Sequence, residues 1–130
     1  MVIDASALVA IVLDEPERPA LAVAIQRDLT RLVSAATLLE ASMVVEGREG
    51  ADAADSLDHL LARIRAEIVA VDERQAWVAR QAWRRYGKGR DAAALNFGDC
   101  FSYALAAVSG EPLLFKGDDF SKTDLAAVAY

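Results

Sequence analysis

The sequence predicts an α/β fold in which helices cover both faces of a mainly parallel sheet of four to five strands. Short apolar runs of strand length recur along the chain, longer segments with helical spacing separate them, and 55% of the 130 residues are apolar. Strands that alternate with helices are typical of a parallel sheet, and this apolar content can bury a core. We therefore expect residues 1–130 to form a single domain.

The first half of the chain is predicted to fold as two strands, each followed by helix. Short apolar runs predict the strands, and longer apolar-rich segments predict the helices. Pro16 ends or restarts the first helix, and Gly47 and Gly50 loosen the end of the third. In order, the predicted elements are a strand at 1–3, helices at 7–13 and 19–27, a strand at 32–35 and a helix at 37–45.

The second half continues the alternation of helix and strand. An amphipathic helix has an apolar stripe that begins at Leu57, and the only histidine, His59, faces away from that stripe toward solvent. A later helix carries Trp77 and Trp83, which we expect to pack in the core or against a partner. The predicted elements are helices at 52–66 and 72–86, a helix that contains Asp99 and ends at Gly110, strands at 68–71 and 113–115, and a possible edge strand at 127–130.

Composition limits the classes of function. The net charge of −6 argues against nonspecific nucleic-acid binding by the whole surface. Cys100 is the only cysteine, so an internal disulfide is impossible and a reducing cytoplasm is the expected compartment. No run reaches the roughly 18 apolar residues of a membrane span, and the start of the chain lacks the basic residues of a signal peptide. We therefore expect a cytoplasmic protein with no membrane partner.

Acidic residues accompany three of the four predicted strands. The carboxyl ends of parallel strands share one edge of the sheet, where ligands bind, so we expect these acids at one rim. Like charges held this close raise one another's pKa unless a cation separates them, and oxygen ligands suit Mg²⁺ or Mn²⁺. The acids are Asp4 after the first strand, Glu40 in the helix after the second, Asp99 at the start of the helix before the fourth, and Asp118 and Asp119 after the fourth.

Each acid also has an ordinary structural explanation. Asp4 could cap a helix, and Thr37 with Glu40 fits a capping box. Asp99 could favour a helix N-terminus through the macrodipole, and the two acids after the fourth strand could shape a turn. Capping does not explain why Glu40 and Asp99 both lie within apolar helices beside other acids.

Other catalytic chemistries lack the residues they need. A serine or cysteine hydrolase needs a histidine base, and the only histidine lies far from any nucleophile motif. The chain has neither of the common glycine-rich phosphate loops and no cysteine–histidine set for zinc. A metal held by carboxylates without histidine suits phosphodiester hydrolysis by a metal-activated water.

Four segments match a known pattern in their order along the chain. They are Met1-Val2-Ile3-Asp4-Ala5-Ser6, the helix with Glu40, Leu95-Asn96-Phe97-Gly98-Asp99-Cys100-Phe101, and Leu113-Leu114-Phe115-Lys116-Gly117-Asp118-Asp119-Phe120. Together they resemble the PIN domain, and the closest similarity is to the VapC-type ribonuclease toxins of bacterial toxin–antitoxin pairs. The resemblance extends over essentially the whole chain.

This resemblance implies a fold, an activity and partners. The fold is a three-layer α/β/α domain, and the activity is an Mg²⁺- or Mn²⁺-dependent endoribonuclease. The implied partners are the RNA substrate, a second copy in a homodimer and a small VapB-like antitoxin. The helices at 7–27 and 52–66 could form a groove for the antitoxin.

Two alternative functions remain. One is a non-catalytic partner-binding subunit that keeps a structural metal. The other is a phosphoacceptor domain, but this chain lacks the aspartate that such a domain needs after the second strand.

The resemblance also assigns roles to individual residues. Ser6 stands where the family often has threonine, and either hydroxyl can orient an acid or a metal-bound water, so activity is still expected. Asn96, in the motif before Asp99, is assigned a supporting role, as is Asp118. The catalytic and metal-binding acids match Asp4, Glu40, Asp99 and a fourth acid, which we assign to Asp119 with Asp118 as the alternative.

One dense basic stretch lies between the tryptophan-bearing helix and the Asp99 helix. An acidic chain that cuts a polyanion needs local cations, so this stretch is a candidate for binding the RNA backbone. Alternatively, it is a solvated helix end, where the dipole favours cations and Gly87 and Gly89 end the helix. Its four cations are Arg84, Arg85, Lys88 and Arg90.

Overall fold

The computed structural model describes residues 1–130 and contains one sheet of four parallel strands. The strands are β1 Val2–Ile3, β2 Leu32–Ser34, β3 Glu67–Val69 and β4 Leu113–Leu114. Their order across the sheet is β3-β2-β1-β4, and Val2 pairs with Leu32 on one side and Leu113 on the other. The predicted mainly parallel sheet is confirmed. The possible edge strand at 127–130 is wrong, because a single bridge joins Ala127 to Leu113.

Six α-helices connect the strands. They are α1 Ala5–Val12, α2 Arg18–Arg27, α3 Ala35–Glu49, α4 Asp52–Ile64, α5 Glu73–Tyr86 and α6 Phe97–Ser109, and a short 3₁₀ helix, Phe120–Lys122, follows β4. Each lies close to its predicted position.

Helix α3 is longer than predicted at both ends. Ser34 caps its start by accepting a hydrogen bond from the backbone N–H of Ala36 at 3.3 Å. The helix then continues through Gly47 and stops at Gly50, whose φ of +86° cannot extend it. The capping box considered as the ordinary explanation of Thr37 and Glu40 is therefore ruled out, and the predicted loosening at Gly47 is wrong.

The sheet separates two apolar cores. Adjacent residues of a strand point to opposite faces, so Ile3 and Leu114 pack with helices α1 to α4, whereas Val2 and Leu113 pack with α5 and α6. The structure therefore has the predicted three layers, with four helices on one face of the sheet and two on the other. Asp4 directly follows the strand that both cores share.

Several large apolar side chains lie on the surface of the α5–α6 layer. Trp77 is 51% exposed, Trp83 is 43% exposed and Phe97 is 80% exposed. The expectation that the tryptophans pack in the core is wrong, and the alternative, packing against a partner, stays a prediction. His59 is exposed, as predicted. None of the helices combines the length and apolar content needed to cross a membrane.

Candidate metal centre

Asp4 lies where β1 ends and α1 begins, and its side chain is almost completely buried. One carboxylate oxygen, Oδ2, accepts hydrogen bonds from the backbone N–H of Ser6 at 2.9 Å and from the Ser6 hydroxyl at 2.6 Å. The Ser6 hydroxyl oxygen in turn accepts the N–H of Lys116 at 2.9 Å, which ties this turn to the segment after β4. The other oxygen of Asp4, Oδ1, is buried without a hydrogen-bond partner. Asp4 is thus a helix cap through one oxygen only.

Glu40 lies in the second turn of α3, the helix that follows β2. Its Oε2 atom is buried and has no hydrogen-bond partner. The pKa of Glu40 is raised from 4.5 to about 7, first because burial disfavours its charged form and then because Asp4 and Asp99 carry like charges nearby. The structure therefore gives Glu40 neither the capping role considered from the sequence nor any cation.

Asp99 lies in the first turn of α6, where it completes a reciprocal cap with Asn96. The Asn96 side-chain oxygen accepts the N–H of Asp99 at 2.9 Å, and Asp99 Oδ2 accepts the N–H of Asn96 at 2.7 Å. The pKa of Asp99 is nevertheless raised from 3.8 to about 6. Burial is the largest cause, the Asn96 hydrogen bond opposes it, and the charges of Asp4 and Asp119 raise the pKa further. Capping therefore accounts for the position of Asp99 but leaves its charge uncompensated.

The four segments meet around one cleft of about 430 Å³. Asp119 lines this cleft, whereas its neighbour Asp118 does not, and both side chains are exposed to solvent. The geometry therefore favours Asp119 over Asp118 as the fourth acid. The predicted residues that line the cleft are Asp4, Ser6, Glu40, Asn96, Asp99 and Asp119.

Two cations at the cleft were not among the site residues predicted from the sequence. Lys116 Nζ lies 2.7 Å from Glu15 and 2.9 Å from Glu17, and Arg48 lies 3.3 Å from Glu15. Each is therefore paired with an acid at the rim, and none of the ion pairs includes Asp4, Glu40 or Asp99. The position of Lys116 directly after the fourth strand was the available sequence signal, whereas Arg48 reaches the cleft only because α3 extends past Val45.

The donor set fits a hard divalent cation. Three carboxylates of like charge surround the cleft floor, two of their oxygens are buried without partners, and the nearby lysine and arginine are already paired. As the side chains stand, no three acidic, histidine or cysteine residues are arranged to hold a metal ion. The chemistry of the donor set therefore matches Mg²⁺ or Mn²⁺.

The basic stretch occupies the end of α5 and the loop that leads to Asn96. Arg84, Arg85, Lys88 and Arg90 are all exposed. Arg85 pairs with Asp124 at 2.9 Å, and the Arg90 guanidinium lies 3.9 Å from the centre of the Trp83 ring. Lys88 donates its N–H to the carbonyl oxygen of Leu95 at 2.9 Å, which places the loop beside the start of α6. Gly87 ends the helix, so the helix-end explanation is compatible with the same residues.

Fold and site together define an α/β/α domain with a cleft at the carboxyl edge of its parallel sheet, lined by carboxylates of Asp4, Glu40 and Asp99 that form no ion pair. The family model described as "PIN domain" matches residues 1–125, and the chain belongs to this family.

Named relatives and solved structures agree with this assignment. The chain is 56% identical to "Ribonuclease VapC" of Mycolicibacterium smegmatis over 128 residues. This alignment covers 98% of this chain and 99% of the relative. The structure is similar to that of Mycobacterium tuberculosis VapC20, described as a "Sarcin-Ricin loop cleaving toxin", with a TM-score of 0.81 and 17% identity over 99% of this chain and 98% of that one. It is also similar to a chain of a "Toxin-antitoxin complex from Klebsiella pneumoniae", with a TM-score of 0.72 and 14% identity over 99% of this chain and 97% of that one.

Proposed function

We propose that this protein is a metal-dependent endoribonuclease and the toxin of a VapC-type toxin–antitoxin pair, acting in the cytoplasm. The observation that carries the proposal is the group of buried, unpartnered carboxylate oxygens that Asp4 and Glu40 present beside Asp99. The 56% identity to a named VapC ribonuclease supports the ribonuclease activity. The metal dependence is inferred from the like charges and unpartnered oxygens of the acids in the cleft.

Asp4, Glu40, Asp99 and Asp119 would hold Mg²⁺ or Mn²⁺. When bound, the ion supplies Lewis-acid chemistry for phosphodiester hydrolysis and a nucleophile at neutral pH. Ser6 fixes Asp4 through two hydrogen bonds, so that the free Oδ1 atom stays directed away from the cap. Asn96 fixes Asp99 at the start of α6, because its backbone N–H donates to the Asp99 carboxylate and its side-chain oxygen accepts the N–H of Asp99.

Cations near this cleft would hold the RNA backbone. Arg84, Lys88 and Arg90 are exposed and form no ion pair with an acid, whereas Arg85 is paired with Asp124. The backbone N–H of Lys88 bonds to Leu95, and Lys88 lines the α5–α6 groove together with Asn96, which also lines the acidic cleft. These cations would offset the repulsion between the acidic cleft and a polyanion.

We propose that a second copy covers the exposed aromatic surface of α5 and α6. Trp83, Phe97 and Phe101 line an apolar groove of about 560 Å³ there, and Trp77 lies exposed on the same layer. Large apolar patches of this kind mark interaction surfaces. Sedimentation of the wild type and of Phe97→Glu checks this proposal, because a dimer that becomes a folded monomer in the variant supports it and an unchanged dimer contradicts it.

We propose that the antitoxin binds the groove between α1, α2 and α4. The groove has a volume of about 330 Å³, and Arg18 and Arg63 line it together with four large apolar residues, Ile11, Ile25, Leu60 and Ile64. The groove could therefore accept an amphipathic helix with acidic flanks. Co-expression with the cognate VapB-like antitoxin is expected to give an inactive complex, and recovery of only free, active protein would contradict the proposal.

The ribonuclease proposal is tested by incubating RNA with the purified protein. We expect cleavage in Mg²⁺, no cleavage in EDTA, and recovery when excess Mg²⁺ is added back. A non-catalytic binding subunit would leave RNA intact in all three conditions. Cleavage that persists in EDTA would contradict the metal dependence.

A further inference from the structure

Gly98 is the second residue of α6, and its backbone does not require glycine. It lies within the regular helix, and its φ is outside the left-handed region that only glycine enters freely. Alanine is a better helix former than glycine, so helix stability alone favours a side chain here. The glycine therefore needs another explanation.

The space that a side chain at residue 98 would need is occupied by Glu40. A Cβ atom built on Gly98 would lie closer than 3.0 Å to both carboxylate oxygens of Glu40 and to the carbon between them. These are the three heavy atoms nearest to the built Cβ. The Glu40 carboxylate therefore rests directly on the bare backbone of the first turn of α6, next to Asp99.

A buried hydroxyl pair keeps α3 and α6 close at this point. Thr37 and Ser102 are fully buried, and their hydroxyl oxygens lie 2.9 Å apart. Thr37 precedes Glu40 by about one helical turn, and Ser102 follows Asp99 by about one turn. Separating the helices would break this buried hydrogen bond, so the flexible end of the Glu40 side chain is the part that can yield.

We propose that Gly98 is a positioning residue that gives the Glu40 carboxylate its place in the acidic cleft. A side chain at position 98 turns Glu40 outward and removes one carboxylate from the metal site, while the fold stays intact. This inference rests on the proposed metal centre. Gly98 has no side chain that could itself bind metal or RNA, so it can act only through Glu40.

The test compares Gly98→Ala with a matched control in the helix that carries Glu40. Gly47 is also inside a helix, and a Cβ atom there would meet nothing within 4 Å. Both variants should melt at or a few degrees above the wild-type temperature in EDTA, because alanine favours helix. In a calorimetric titration with Mn²⁺, the Kd of Gly98→Ala should rise at least tenfold, and that of Gly47→Ala should equal the wild-type Kd.

A double variant separates this role from a general structural one. In a Glu40→Ala background, Gly98→Ala should not change the Mn²⁺ affinity further, because the carboxylate it displaces is already absent. An equal loss of affinity in both backgrounds would overturn the proposal. So would wild-type Mn²⁺ affinity in Gly98→Ala, or a large fall in its melting temperature.

A crystal structure of metal-free Gly98→Ala provides a test that does not depend on metal binding. We expect the Glu40 carboxylate to leave its place over α6 while the backbones of α3 and α6 stay unchanged. An unmoved carboxylate overturns the role of Gly98. Failure of the wild type to bind Mn²⁺ contradicts the proposed metal centre instead, so the two failures are distinguishable.

Discussion

Replacing Asp99 by asparagine should stabilise the metal-free protein. The pKa of Asp99 rises from 3.8 to about 6, a net change that already includes the favourable hydrogen bond from Asn96. At about 1.4 kcal/mol for each tenfold change in acid constant, the charge on Asp99 costs up to about 3 kcal/mol at pH 8. Water screens part of this cost because the side chain is partly exposed, so we expect a gain of about 1–2 kcal/mol.

The same substitution should weaken metal binding. Asparagine has nearly the shape of aspartate and keeps an oxygen that can accept the Asn96 N–H, but it lacks the charge that a divalent cation needs. A ligand present at one hundred times its Kd stabilises a protein by about 2.7 kcal/mol, and a variant with a hundredfold weaker Kd loses most of that gain. The order of stability should therefore reverse when Mn²⁺ is added.

Thermal melts of the two proteins at pH 8, in EDTA and in Mn²⁺, measure this reversal. In EDTA, Asp99→Asn should melt about 4–8 °C above the wild type, and in saturating Mn²⁺ it should melt below it. A variant that melts below the wild type in EDTA would show that Asp99 serves mainly as a cap. An equal Mn²⁺-induced rise in both proteins would refute its role as a metal ligand.

Two further predictions concern pH and salt. The pKa values of Glu40 and Asp99 are raised in the folded protein, which therefore binds more protons than the unfolded chain between about pH 4 and 8. At the low end of that window both side chains are protonated and carry no cost, whereas at the high end both are charged. The free energy of unfolding of the metal-free protein, measured with urea, should therefore fall as the pH rises from 4 to 8. A rise between pH 5 and 8 would contradict the pKa shifts. Replacing Lys88 and Arg90 by alanine should lower the log–log salt slope of RNA binding by about 1.4, as expected for two lost phosphate contacts, and leave Mg²⁺ affinity unchanged. An unaltered slope would leave helix capping as the explanation of this stretch.

The order and type of the elements could be predicted because each strand is a short apolar run between helical segments. The start of α3 could not, because Ser34 and Thr37 are both good capping residues and only the backbone shows that Ser34 takes this role. The sequence predicts that the tryptophans pack in the core or against a partner and cannot separate the two, because the exposure of Trp77 and Trp83 depends on how α5 packs.

The acids could be predicted as a group because their segments follow or precede strands whose ends share an edge. The choice between Asp118 and Asp119 could not be made from the sequence, because adjacent residues differ only in where their side chains point. The contact between Gly98 and Glu40 was also beyond the sequence, since it depends on how closely α3 and α6 pack. Distances between distant segments are set by the packed fold and not by local patterns.

The most direct test of the metal centre is the Mg²⁺ dependence of RNA cleavage by single charge-removing variants. Asp4→Asn, Glu40→Gln, Asp99→Asn and Asp119→Asn should each lower the rate by orders of magnitude and require more Mg²⁺ for half-maximal rate. Asp118→Asn is the matched control, since Asp118 is an adjacent, equally charged residue outside the cleft. Wild-type rates in Asp118→Asn alone would support the centre described here, whereas wild-type rates in Asp4→Asn or Asp99→Asn would contradict it.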